Sequence, residues 1–153
     1  MKVIIVTCFD PYNVRTKYLE EFFIRRGDDV TVIHSDYLHT EKKYREKDSS
    51  RTNLEEIHVP EYTRNLSLSR IYSHYCFAIK LYKYLKKHDD VDIVYAMLPP
   101  NFVAYYVSRF KRNHPSIKLI YDVYDMWPES MGKTKNSVKK AIFNMWADLR
   151  DNN

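Results

Sequence analysis

Four short apolar runs rich in β-branched residues, three of them followed directly by a segment with helical spacing, restrict what this chain can fold into more than any other feature. Val3-Ile4-Ile5-Val6 and Val30-Thr31-Val32-Ile33 carry no charge, as expected of strands buried on both faces of a parallel sheet. Val91 to Met97 and Ile117 to Val123 are two more such runs, and Glu56-Ile57-His58-Val59 alternates as a shorter strand ended by Pro60. Between them lie helical patterns. Val14, Tyr18, Leu19, Phe22 and Phe23 mark one face of a helix from Val14 to Arg26, with Gly27 placed to end it. Leu68, Ile71, Tyr75, Ile79, Tyr82 and Leu85 mark a second, longer helix. Pro99-Pro100 opens a third carrying Phe102, Val103, Tyr106 and Phe110, and Val138, Ile142, Met145 and Leu149 mark a fourth. From Asp36 to Asn53 the chain is polar and has no period, which predicts a long exposed loop. The order β-α-β-β-α-β-α-β-α predicts an α/β fold: a doubly wound, mostly parallel Rossmann-like sheet with helices on both faces, in one domain over residues 1–153.

Composition narrows the chemistry. Only two glycines occur, Gly27 and Gly132, so no glycine-rich turn follows the first strand and no P-loop exists. A self-sufficient dinucleotide or triphosphate site is therefore not expected, because the backbone needs glycine there to approach phosphate. Cys8 and Cys76 have neither metal-ligand nor framework spacing, and no histidine has the partners of a metal site. No apolar stretch approaches the roughly 20 residues of a membrane span, and the N-terminus runs straight into a strand instead of a signal peptide. An intracellular location follows as the expectation. The net charge of +5 points to an acidic partner such as a nucleotide diphosphate or an anionic lipid surface. The basic residues are interleaved with acids and no nucleic-acid-binding module is visible, so nucleic acid is not expected.

Tyr121-Asp122-Val123-Tyr124-Asp125-Met126-Trp127-Pro128-Glu129-Ser130 stands where the last strand gives out. Pro128 cannot continue a strand or a helix, so the chain turns near Asp125. Carboxylates and an indole gather at the sheet edge where open α/β folds bind ligands. After the first strand, Asn13 and Arg15 sit at a helix start facing the same edge. Asn13 either caps that helix or meets a ligand, and Arg15 is either solvated or aimed at a phosphate or sugar hydroxyl. Arg70, Lys80, Lys83 and Lys87 form a basic stripe on the long helix. It is either a solvated face or a surface for anionic lipid headgroups. Phe143 and Trp146 lie beside the core stripe of the last helix and call for cover by another domain, a partner or a membrane.

Asp125-Met126-Trp127-Pro128-Glu129-Ser130 resembles the Asp-x-Trp-Pro-Glu-Ser signature in the N-terminal domain of retaining, GT-B-fold family 4 glycosyltransferases, in the version of bacterial capsule and lipopolysaccharide enzymes. Lys2-Val3-Ile4-Ile5-Val6, Arg26-Gly27-Asp28-Asp29-Val30-Thr31-Val32-Ile33 and Pro99-Pro100-Asn101 are similar to the same domain. The resemblance implies sugar transfer from a nucleotide-sugar to an acceptor hydroxyl, with anomeric retention, no metal and no other cofactor. It also implies that this domain holds the acceptor, a saccharide or lipid-linked saccharide at the cytoplasmic membrane face. A C-terminal donor-binding domain, absent from this chain, would complete the enzyme, so the isolated chain is expected to be inactive. Asp125 takes the catalytic position, Glu129 braces the loop, and Asn13, Arg15, Asn101, Tyr124 and Trp127 are further substrate-binding candidates. The chain departs from the family at Tyr12-Asn13-Val14, where glycine is usual, and at Tyr124, where His or Arg is. The competing expectation is a non-catalytic docking module that binds a partner through Phe143 and Trp146.

Overall fold

The computed structural model describes residues 1–47, 49–65, 67–128 and 137–151, except for the side chains of Val138 and Lys139. Its strands are β1 (Lys2–Thr7), β2 (Asp29–Ser35), β3 (Tyr37–Leu38), β4 (Lys43–Tyr44), β5 (Leu54–Ile57), β6 (Ile93–Leu98) and β7 (Lys118–Val123). Its helices are α1 (Asn13–Arg25), α2 (Leu68–Leu85), α3 (Asn101–Asn113) and α4 (Ser137–Asp151), with a 3-10 turn at Asp10–Tyr12. The main sheet has the order β5-β2-β1-β6-β7, and every neighbouring pair in it is parallel. This is the expected doubly wound α/β architecture.

Strand period places the two cores. Val3, Ile5, Val30, Val32 and Ile93 point to one side and pack with Phe23 of α1. Ile4, Val6, Val94 and Ala96 point to the other and pack with Phe77, Ala78 and Leu81 of α2 and with Val103, Val107 and Phe110 of α3. Helices therefore cover both faces, α1 on one and α2 and α3 on the other. Gly27 has φ +82°, the left-handed conformation that a residue just past a helix end adopts most cheaply when it is glycine.

Four expectations need correction. On α1, Val14, Tyr18 and Phe22 are exposed, at 68%, 68% and 56%, while Thr16 and Phe23 are buried. The helix has two adjacent apolar rows, and its hydrophobic period alone does not say which one meets the sheet. On α2 the buried row is Arg70, Ser73, His74, Phe77, Ala78, Leu81 and Leu85, whereas Leu68 and Tyr75 are exposed. Three polar residues at the start of that row disguise it. The segment from Asp36 to Asn53 is not simply an exposed loop. β3 and β4 pair as an antiparallel hairpin, Tyr37 is buried, and Arg45 Nε donates to the Ser35 carbonyl at 3.0 Å. Arg51 meets Glu20 of α1 at 2.5 Å. Strands of two residues leave no period to read. The third main strand also begins two residues earlier than its alternation suggested, at Leu54.

Candidate functional site

The C-terminal ends of β1, β6 and β7 open on one side of the sheet, and the turn after β7 crosses that opening. Tyr124 and Asp125 donate their backbone N–H groups to the Leu98 carbonyl at the end of β6, at 2.9 and 3.4 Å. The turn then folds on itself. Trp127 N–H reaches the Asp125 carbonyl at 3.2 Å, and the Trp127 indole Nε1 donates to Asp125 Oδ2 at 2.6 Å. This fixes one carboxylate oxygen. Asp125 Oδ1 receives no hydrogen bond among the described residues. The carboxylate is half-buried and makes no ion pair among the described residues.

Trp127 is 8% exposed. Its ring lies 5.8 Å from Phe9, 5.8 Å from His74 and 5.9 Å from Trp146, and the Arg70 guanidinium sits 4.2 Å from its ring centroid. Asn101 ties the arrangement from below. Its Nδ2 donates to the carbonyls of Trp127 at 2.9 Å and Trp146 at 2.8 Å. Arg150 Nη1 also donates to the Trp127 carbonyl at 2.9 Å. The polar cradle holds the Trp-Pro turn against the start of α3 and the middle of α4.

Above the turn lies a cavity of about 310 Å³ lined by Phe9, Pro11, Tyr12, His39, Arg70, Tyr124, Asp125 and Trp127. Tyr124 is half-exposed and packs on Tyr12 with ring centroids 4.2 Å apart. The wall is aromatic, with one carboxylate and one guanidinium, which suits a ligand with apolar C–H faces and polar edges. The Tyr12 hydroxyl is pushed up from its ordinary pKa, first by burial and then by the Asp125 charge.

The candidates from the sequence separate into groups. Asp125, Tyr124 and Trp127 line this cavity together. Arg15 stands next to it, 5.5 Å over the Tyr124 ring. It is not simply solvated, because its Nη1 pairs with Asp122 Oδ1 at 3.0 Å, and Tyr95 donates to the other Asp122 oxygen at 3.1 Å. Asn13 makes no side-chain cap, since Tyr12 is the N-cap residue of α1. Asn13 lines a separate cavity of about 910 Å³ between α1 and the β3–β4 hairpin. Asn101 is buried at 1% exposure beneath the turn, not on the cavity wall. Glu129 lies outside the described residues.

The predicted basic stripe is broken, since Arg70 is buried at 5% exposure, Lys80 and Lys83 are exposed on α2, and Lys87 is exposed past the end of that helix. Trp146, expected to need an outside partner, is covered within the chain by Trp127. No helix among the described residues is long and apolar enough to cross a membrane. Arg70, Phe9 and His39 were not recognised as site residues in the sequence. For Arg70 the available signal was a charged residue in the first turn of a helix whose next buried positions are polar too.

Burial also governs the histidines. His34 and His39 are each lowered to about 4, by burial first, and His74 is held well below its ordinary value for the same reason. The folded state therefore keeps them neutral while the unfolded chain takes up protons below about pH 6.5. Stability is fully present above that pH and falls as the pH drops toward 4. Thermal unfolding followed from pH 7.5 to pH 4.5 should show a midpoint that declines steadily through this window. The lowered carboxylates Asp28, Asp90 and Asp151 act only below it.

No family model matches the sequence, and no curated protein matches it. Among solved structures the chain is similar to a UGT transferase from Siraitia grosvenorii in complex with UDP, with a TM-score of 0.49 and 12% identity. The match covers 80% of this chain and 27% of that one, so this chain spans about a quarter of that protein's length. A likeness of that size carries no argument about activity.

Proposed function

We propose that this chain is the acceptor-binding half of a retaining glycosyltransferase of the GT-B, family 4 type. In this reading it presents an acceptor saccharide to a sugar held on a nucleotide by a second domain, without a metal. The acceptor is lipid-linked, the setting is surface-polysaccharide synthesis, and the work is done at the inner membrane face. One observation carries the reading: Asp125, in the Asp-Met-Trp-Pro turn, borders an aromatic cavity at the C-terminal edge of a parallel sheet, and one of its carboxylate oxygens is uncommitted among the described residues. Such an oxygen can orient an attacking sugar hydroxyl or face positive charge that develops at the anomeric carbon. The aromatic wall supplies stacking surface for sugar C–H faces.

The docking-module reading loses one of its two motives, because Trp146 is buried inside the chain while Phe143 is only half-buried. The test of the transferase reading is turnover. Joined to its natural downstream sequence and given a UDP-sugar with a membrane-lipid acceptor fraction, the protein should release UDP in an acceptor-dependent way. A folded two-domain protein that releases none across the common nucleotide-sugars would sink it.

A further inference from the structure

Arg70 has an unusual setting for a cation. It is 5% exposed, yet no carboxylate lies within ion-pair distance among the described residues. Its Nη1 donates to the Asn65 carbonyl at 2.8 Å and its Nε faces His74 Nε2 at 3.4 Å. The Tyr62 side chain is a further, neutral partner of the guanidinium. Around the guanidinium stand the rings of Trp127 at 4.2 Å, Phe9 at 5.5 Å and Tyr62 at 5.9 Å. A guanidinium stays charged in a protein, and burying a charge without a counter-charge is costly. The rings offset only part of that cost. A second cation, Lys42, lies close by, 4.8 Å over the same Tyr62 ring and, among the described residues, bonded only to neutral groups, Asn65 Oδ1 and His39 Nδ1. Arg70 also sits in the first turn of the 18-residue helix α2, whose N-terminal dipole adds positive potential.

We propose that Arg70 is an oxyanion-binding residue of the Asp125 cavity, its guanidinium taking a phosphate or carboxylate group of the bound saccharide as the counter-charge it lacks among the described residues. The planar fork matches either oxyanion. The cavity places that anion within one ligand's reach of Asp125, since both residues line the same 310 Å³ space. This deepens the acceptor-side reading and rests on it for the identity of the ligand: an acidic sugar, not a neutral one. The oxyanion can come from a sugar phosphate, a uronic acid or a lipid phosphate.

The test is binding to the whole chain without donor or turnover, read from tryptophan fluorescence, because Trp127 touches Arg70. The probes are glucose 1-phosphate, glucuronate, and vesicles of phosphatidylcholine with or without phosphatidylglycerol. A saturable response to at least one anionic probe, absent with glucose and neutral vesicles, is expected, and the responding probe identifies the source. R70M should weaken that binding at least about tenfold, the usual effect of losing hydrogen bonds to a charged group. R70K keeps the charge but loses the fork, so it tests the point should R70M not fold; binding weakened several-fold at an unchanged melting temperature is expected. No response to any anionic probe, or unchanged affinity in R70M or R70K, overturns the proposal. Anion binding without sugar transfer by the completed enzyme would instead overturn the transferase reading and leave the anion site standing.

Discussion

Replacing Trp127 by alanine is expected to cost about 3–5 kcal/mol of folding stability, the range for emptying a large aromatic side chain from a packed core. The indole is not a lid over the site but part of its floor. It contacts Phe9 from the β1–α1 connection, His74 and Arg70 from α2, and Trp146 from α4. Removing it would leave a void shared by these three segments, which cannot all collapse into it. It would also strip Arg70 of a ring 4.2 Å away and Asp125 of the hydrogen bond from the indole. Against a total stability of roughly 5–15 kcal/mol for a domain of this kind, the variant should be marginal. Denaturant unfolding followed by circular dichroism measures it. Trp127→Phe separates the two roles, because it keeps most of the packing and removes only the indole N–H. A Trp127→Ala loss below about 1 kcal/mol would mean that the turn is a surface flap and that the cavity floor is something else.

The sequence showed the sheet more clearly than the site, for physical reasons. A parallel strand buried on both faces must be apolar on both, so Val3–Val6 and Val30–Ile33 could be nothing else, and the crossover rule then orders the layers. The turn at Asp125 was legible because Pro128 interrupts the backbone in a way no neighbouring contact can repair. What stayed hidden were residues whose role depends on a partner far along the chain. Arg70 belongs to a helical stripe with Lys80 and Lys83 when only spacing is considered. Its burial becomes visible only once Phe9, Tyr62 and Trp127, distant in sequence, close around it. Asn101 is a similar case. Next to Pro99-Pro100 it resembles a helix-start residue facing a ligand, and only the fold brings the Trp127 and Trp146 carbonyls to its amide. Trp146 was expected to lack cover because its cover, Trp127, is 19 positions away on another element.

Asp125→Asn is the substitution that tests chemistry with the least disturbance of structure. Asparagine keeps the shape of the side chain and an oxygen that can accept from Trp127 Nε1, so the turn should close as before and the melting temperature should change little. What goes is the charge. If the carboxylate orients the acceptor hydroxyl or faces developing positive charge, its loss removes a contact that strengthens in the transition state. Contacts of that kind are worth about 10²–10³ in kcat when removed singly, with little change in KM because ground-state binding is shared with the aromatic wall. The enzyme completed by its downstream sequence should therefore show a large fall in kcat, with acceptor KM held within a few-fold and unfolding unchanged. A fall in stability matching the fall in rate would make Asp125 a structural partner of Trp127. Unchanged turnover would remove Asp125 from the reaction and leave Arg70 and the aromatic wall as a binding surface for an acidic saccharide. On the proposed reading, glycosyl transfer depends on whether Asp125 Oδ1, which receives no hydrogen bond among the described residues, meets the sugar that a second domain delivers.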